Sequence, residues 1–278
     1  MMTFGKFEIS ARNHGFLRLD GGAMFGPVPK TIWSGLIPAD EENRIRLATR
    51  SLFIRSGDRL VMVDAGCGDK WTDKLRRIFA FEGPAAGEPD LDPAAVTDIV
   101  ITHLHFDHAG GTSRFIPGGS TEVEPCYPGA RVYVQADNYE TARNPNARER
   151  ASYLRENVSV LEQVRLDLTR GSREIHPGLW VHQANGHTRG LQWVEVRDGS
   201  GTIAYPSDMI PTARHLSLPY TMGYDMCVET LLAEKEDFLR RAVEGGWLVV
   251  FEHDPDIPAA RLKIDARGHF AVREIVRF

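Results

Sequence analysis

The sequence predicts an α/β chain in which two β-rich halves pack as two sheets, with helices over their outer faces. Three observations predict this. Short apolar or alternating runs bounded by turn residues read as strands at Thr49–Ile54, Leu60–Asp64, Asp98–Thr102, Arg131–Gln135, Leu179–Gln183, Leu191–Arg197, Thr202–Tyr205, Leu248–Glu252 and His269–Val276. These runs cluster before residue 136 and after residue 172. Helical patterns lie between them. Leu154, Val158 and Leu161 recur at helical spacing within Ala147 to about Leu166, with Asn146 and Glu149 placed as a capping box, and a second helix runs from Val228 to Val243.

No Gly/Ser linker, low-complexity tract or charge block divides the chain, so residues 1–278 are expected to form one domain. That length buries enough apolar surface to need no staples. The loops Leu19–Lys30, Phe81–Asp92, Phe115–Ala130 and Pro211–Tyr224 are long and rich in Gly, Pro and aromatics, as binding-site walls often are.

A hydrophobic share of 42% and a charged share of 26% suit a soluble globular protein. The formal charge of -5, with no Lys/Arg-rich block, argues against a nucleic acid or an anionic membrane surface as partner. The start MMTFGKFEIS lacks a basic segment followed by an apolar core, and no apolar run approaches the ~20 residues of a membrane span. A cytoplasmic location is therefore the expectation. Cys67, Cys126 and Cys227 are too widely spaced for a disulfide framework or a CxxC knuckle, and are expected to be small, buried thiols.

The segment that carries chemistry is Thr102-His103-Leu104-His105-Phe106-Asp107-His108-Ala109-Gly110-Gly111, directly after the apolar run Ile99-Val100-Ile101. A lone histidine at a strand end is usually a satisfied polar residue. Grouped as HxHxDH, these side chains read as metal ligands. In extended chain His103 and His105 project to one side, and a turn or helix start just after them carries Asp107 and His108 to a point about 3–4 Å further on, the spacing of a two-metal site. Three more residues supply what two metals still lack: His187 in Asn185-Gly186-His187-Thr188, Asp208 after Pro206-Ser207, and His253 at the end of Leu248–Glu252. Each follows a strand. Imidazole and carboxylate donors without a thiolate suit zinc, with iron, manganese or cobalt acceptable.

In this order of motifs the chain resembles the metallo-β-lactamase superfamily over about residues 45 to 265. The resemblance implies the αββα sandwich, two packed mixed sheets with helices outside. It implies that His103, His105 and His187 bind one metal, that Asp107, His108 and His253 bind a second, and that Asp208 bridges both. Asp64, in Val63-Asp64-Ala65-Gly66, reads from sequence as a turn aspartate; the resemblance gives it the task of holding a ligand imidazole by its free N–H. Gly110 and Gly111 are expected to serve backbone geometry.

Asp208 disfavours the lactamases themselves, which generally lack that carboxylate, and His105 stands where oxygen-reducing diiron members carry glutamate. Members that use one iron for sulfur oxidation keep much of the pattern. Nuclease members usually add an inserted domain and a basic face, which this chain lacks. The segments Asp20–Trp33, Asp208–Thr212 and Pro219–Asp225 look like those of quorum-quenching lactonases, particularly the YtnP-like group, and of the methyl-parathion-hydrolase-like branch. One feature departs from the lactonase pattern: the tyrosine expected shortly after Asp208 is replaced by Ile210, Pro211 and Thr212, leaving Tyr220, Tyr224 or His215 to substitute.

The expected function is a dinuclear metal-dependent hydrolase that opens the ester ring of a lactone, such as an N-acyl-homoserine lactone, through a metal-bridging hydroxide. Asp107 and Asp208 are its catalytic carboxylates, Asp208 taking up or delivering a proton. Met24, Phe25, Trp33, Phe106, Tyr220 and Met222 are candidates for an apolar pocket, with His215 and Tyr224 as polar candidates. Exposed aromatic loops would also suit a homodimer. The alternatives are a phosphotriester or other ester hydrolase, a mononuclear iron redox enzyme, and a lactone-binding protein without turnover.

Overall fold

A computed structural model describes residues 1–84, 91–118 and 121–278. In the first of two seven-stranded sheets, Met2–Phe4, Phe7–Asp20, Arg44–Ser56, Arg59–Val63, Asp98–Val100, Arg131–Gln135 and Arg165–Thr169 lie side by side in that order. The second runs Arg173–His176, Leu179–Ala184, Leu191–Asp198, Gly201–Tyr205, Leu248–Val250, Ala259–Ile264 and Phe270–Val276. Ser113–Phe115 and Val123–Pro125 form a separate small hairpin.

Both sheets are mixed. Arg59–Val63, Asp98–Val100, Arg131–Gln135 and Arg165–Thr169 are successively parallel, as are Gly201–Tyr205 and Leu248–Val250. Parallel neighbours end on the same edge, so the loops after them gather there. Side-chain alternation explains the layers. In Arg59–Val63, Val61 and Val63 enter a core between the sheets with Val181, Val194 and Ile203, while Leu60 and Met62 face the outer cluster with Val158 and Leu161. A strand buried on both faces reads as a continuous apolar run. On the far side the helix Val228–Glu244 buries Leu231, Phe238, Leu239 and Ala242 against Trp193 and Val249 of the second sheet. Each of the leucine and phenylalanine side chains stabilises by about 1.5–3 kcal/mol when fully buried.

The expected helix from Ala147 to Leu166 does not form. The chain makes turns, then a short helix Arg155–Ser159, a 3₁₀ turn Val160–Gln163 and the strand Arg165–Thr169. Half of the capping box forms: Glu149 N–H donates to Asn146 Oδ1 at 3.1 Å, while the Glu149 carboxylate accepts from the Asn146 side-chain Nδ2 at 2.6 Å instead of from its backbone N–H. However, the other oxygen of buried Glu149 accepts from the Thr188 hydroxyl, which also meets the Tyr153 hydroxyl at 2.8 Å. Leu154 joins one apolar cluster, and Val158 and Leu161 another. One straight helix would present all three to a single face, so tertiary packing overrides the pattern.

The strand Phe7–Asp20 escapes sequence periodicity because it is bulged. Asn13 pairs with Arg50 and Phe16 with Ala48, so one extra residue interrupts the alternation. Gly15 sits in the bulge at φ 138°, where a Cβ would lie 2.3 Å from the Glu82 carbonyl oxygen. Within Leu19–Lys30 a short helix, Gly21–Phe25, forms under an Asp20 cap. Residues 85–90 of the Phe81–Asp92 loop and 119–120 of the Phe115–Ala130 loop lie outside the described residues. Cys67 is buried and Cys126 half-buried, but Cys227 is exposed, because it stands at the open start of the Val228–Glu244 helix. Among the described residues no helix is long and apolar enough to cross a membrane.

Candidate metal centre

The motif segment leaves Asp98–Val100 in extended conformation and turns at once into the helix Phe106–Ala109, whose first hydrogen bonds return to the His105 carbonyl. Gly110 and Gly111 let this turn dock on the Asp64 loop. A Cβ at Gly110 would lie 2.1 Å from the Cys67 carbonyl oxygen, and one at Gly111 2.1 Å from that of Ala65. His187 follows Leu179–Ala184, Asp208 lies in the 3₁₀ turn after Gly201–Tyr205, and His253 follows Leu248–Val250.

These side chains meet in two groups, one of His103, His105, His187 and Asp208 and one of Asp107, His108 and His253, with the donor atoms of each group within 4.8 Å of one another. In the first, His105 Nδ1 lies 3.0 Å from His103 Nε2 and 3.3 Å from His187 Nε2. In the second, His108 Nε2 and His253 Nε2 are 3.3 Å apart, and Asp107 Oδ2 is 3.7 Å from His253 Nε2. Asp208 faces both groups. Its Oδ2 is 3.2 Å from His187 Nε2 and its Oδ1 is 3.1 Å from His253 Nε2. All seven side chains are buried.

The outer ring nitrogens explain why the inner ones face inward. His253 Nδ1 is 2.7 Å from the Ala48 carbonyl, which can only accept, so Nδ1 carries a proton and Nε2 points into the site. His187 Nδ1 donates to Asp225 Oδ1 at 2.9 Å in the same way. His108 Nδ1 faces two carboxylates, Asp64 Oδ2 at 3.1 Å and Glu252 Oε2 at 3.0 Å. Asp64 also accepts from the Thr102 N–H and hydroxyl, each at 2.7 Å, and holds an unusual positive φ of 56°. Arg50 clamps the last ligand loop by donating to the carbonyls of Phe251, Glu252 and Asp254.

Burial and the neighbouring imidazoles hold His103 and His105 well below the ordinary histidine range, which keeps them neutral donors. Burial also opposes a charge on His253, but the Asp208 carboxylate beside it outweighs that and pushes His253 up to about 9. For Asp208 burial works upward and is outweighed by the imidazoles, led by His253, so its carboxyl stays well below the usual range. Protons and cations compete for these same nitrogens.

The donor set fits divalent cations. Imidazole lone pairs about 3 Å apart cannot satisfy one another without a proton or cation between them, and Asp208 Oδ1 is buried without a hydrogen-bond partner. Burial and the Asp107 charge push the Cys67 thiol well up, so no thiolate competes.

A cavity of about 160 Å³ opens over the donors, with His105, Asp107, His187, Asp208 and His253 in its lining. Of the eight pocket candidates, Met24, Phe106, Met222 and Tyr224 line it. Phe25, Trp33, Tyr220 and His215 do not. Phe25 stacks on Trp33 and on His215 at 5.8 and 4.6 Å, with Tyr220 edge-on, and this stack lies outside the cavity lining. His215 is fully buried, donating from Nε2 to the Met24 carbonyl at 2.8 Å and meeting the Thr212 hydroxyl through Nδ1. Leu19 opens a loop that the sequence marks as a wall, whereas Leu47, Phe79, Ala151 and Ser152 in the walls, and Asp225 and Glu252 behind the donor rings, were missed. Glu252 precedes His253, and Asp225 ends the quoted Pro219–Asp225 stretch, so adjacency to these segments was the available signal.

Known proteins share this fold. A solved structure of a probable metal-dependent hydrolase from Staphylococcus aureus matches with a TM-score of 0.88 at 26% identity, covering 99% of this chain and 100% of that one. A structure of AidC, a dizinc quorum-quenching lactonase in complex with a product, matches with a TM-score of 0.73 at 19% identity over 100% of this chain and 97% of that one, which speaks to the fold alone. An N-acyl homoserine lactonase of a Bacillus species is 26% identical over 168 residues, covering 59% of this chain and 58% of that protein. N-acyl homoserine lactonase AiiA of Bacillus thuringiensis subsp. kurstaki is 27% identical over 137 residues, 48% of this chain and 47% of that protein. This chain thus spans less than two thirds of the length of these curated relatives. The sequence pattern of the metallo-beta-lactamase superfamily matches residues 44–253, a span that runs from the start of the strand Arg44–Ser56 to His253 itself, and the chain belongs to that superfamily.

Proposed function

We propose that this chain is a metal-dependent hydrolase that holds two divalent ions, zinc first among them, and opens the ring of an N-acyl homoserine lactone. The observation that carries the reading is Asp208, whose two oxygens face two separate donor groups at the floor of a mostly apolar cavity. In this reading His103, His105 and His187 hold one ion, Asp107, His108 and His253 the other, and Asp208 both. The ions, when bound, supply an acidified water and polarisation of the ester carbonyl.

The chain's own residues do the rest. Met24, Phe106 and Met222 offer an apolar wall for an acyl chain and exclude water from the floor. Tyr224, 37% exposed, lines the same cavity, and partial burial with the charges of Asp20 and Asp107 pushes its phenol up to about 12, so it stays protonated and can donate to a substrate carbonyl. That gives it the place of the tyrosine lacking after Asp208. The imidazoles around Asp208 keep its carboxylate ionised, so it can accept a proton from a water held at the floor.

The test is a turnover screen of the zinc-loaded protein on N-acyl homoserine lactones, simple esters and phosphotriesters, with metal content measured on the same samples. Lactone opening by a protein with two metals per chain is expected. Tyr224→Phe should lower kcat/KM about tenfold, the equivalent of one hydrogen bond of about 1.4 kcal/mol. Asp208→Asn should abolish turnover and lower metal content. Preference for phosphotriesters, or no turnover by the two-metal protein, would overturn the substrate or the reaction respectively.

A further inference from the structure

Asp225 is buried, and its two oxygens serve two different parts of the site. Oδ1 accepts from His187 Nδ1 at 2.9 Å. Oδ2 accepts from the backbone N–H of Met222 at 2.6 Å. Met222 and Tyr224, on either side of Gly223, both line the cavity. One carboxylate therefore spans the distance between a ring in the donor cluster and the wall above it.

The wall segment is gripped from outside as well. The Arg148 guanidinium donates to the Gly223 carbonyl and, at 3.4 Å, to that of Asp225. Gly223 N–H donates to the Ala23 carbonyl at 2.7 Å. Just beyond, Met226 N–H donates to the His187 carbonyl at 3.0 Å and Cys227 N–H to that of Gly186 at 2.9 Å. The wall thus reaches the His187 ring through the Asp225 carboxylate, and the His187 backbone through Met226 N–H.

We propose that Asp225 is a positioning residue that couples the cavity wall at Met222–Tyr224 to the orientation of the His187 imidazole. Placement of the wall then sets the metal affinity of the His187 group, and by linkage occupancy of that group sets the wall. The metal arm rests on the ligand assignment in the proposed function. It does not rest on the substrate or on turnover.

The experiment is a double-mutant cycle read by Co(II) titration, following both the dissociation constant and the visible absorption of the bound ion. Asp225→Ala should weaken the tighter or looser Co(II) step 10–100-fold, the range for removing a carboxylate behind a ligand imidazole. Arg148→Ala touches no ligand, yet should weaken the same step several-fold in the native background and leave it unchanged in Asp225→Ala. Asp225→Asn can accept only one of the two N–H groups, so it should fall between and also lose the response to Arg148→Ala. Its near-isosteric shape guards against simple misfolding, which thermal melting will check. An Arg148→Ala variant with native Co(II) affinity and spectrum, or one whose effect persists undiminished without Asp225, would overturn the coupling. If the native protein binds Co(II) but turns over no lactone, the proposed function fails and this result still stands. With turnover, Arg148→Ala should raise KM while changing kcat less than threefold.

Discussion

Ser207 offers a sharp test of how the bridging carboxylate is aimed. It precedes Asp208, is fully buried and holds φ at +52°, a left-handed conformation that disfavours any side chain by roughly 1–2 kcal/mol. Its hydroxyl lies 2.8 Å from Thr102 Oγ1. Because the Thr102 hydroxyl already donates to the Asp64 carboxylate, Ser207 is the donor to Thr102. Ser207→Ala removes that bond, about 1 kcal/mol, and keeps the strain. Ser207→Gly removes the same bond but releases the strain, at a chain-entropy cost of about 0.5–1 kcal/mol. The glycine variant should therefore be the more stable of the two by about 0.5–1 kcal/mol, a gap of roughly 1–4 °C in Tm at about this size. Urea and thermal unfolding of metal-stripped proteins will read it without linkage to bound metal. Metal affinity should show the opposite order, since glycine frees the backbone that aims Asp208. An alanine variant as stable as the glycine variant would refute the claim that strain is stored at this turn.

The remaining predictions concern metal and pH. Chelation should lower Tm, with saturating metal worth about 4 kcal/mol at a thousand times its Kd, and the difference should shrink sharply in Asp208→Ala. Burial holds His215 down at about 3 against an unfolded value near 6.5. Between those values the unfolded chain binds a proton that the folded chain refuses, so acidification through this window destabilises the fold by up to about 1.4 kcal/mol per pH unit. Urea midpoints at pH 4.5 and 7 should differ less in His215→Gln than in the native protein; an unchanged difference would remove His215 from the acid response. Tyr153→Phe should destabilise by about 1 kcal/mol, because it breaks a hydroxyl bridge between Thr188 and Asn138.

What the sequence disclosed of the fold followed from where strands are simple. Arg131–Gln135 and Leu179–Gln183 were legible because short apolar runs end at turn residues, and the structure extends the second only to Ala184. Phe7–Asp20 was not, because its bulge shifts the alternation between Asn13 and Phe16 and its RNHG stretch imitates a turn. The Ala147 segment failed for the opposite reason. Its local signals were sound, and the Asn146 cap bond forms, but Glu149 and Tyr153 are committed to Thr188 in a distant loop. Local pattern cannot announce a partner from elsewhere in the chain.

The same asymmetry governs the site. The seven donors are visible in sequence because each follows a strand or sits in HxHxDH, and parallel strands deliver their following loops to one edge. The groups that orient them have no common signature: a backbone carbonyl at Ala48, a carboxylate at Asp225, and the Asp64 and Glu252 pair on one ring. An imidazole needs only some acceptor on its outer nitrogen, and any nearby element can provide it. The choice of acceptor still has consequences. A carbonyl fixed within the strand Arg44–Ser56 gives His253 a rigid hold, whereas Asp225 hangs on a loop that also carries Met222 and Tyr224. Of the three rings held in these ways, His187 is the one whose orientation would answer to the wall of the cavity under the coupling proposed above.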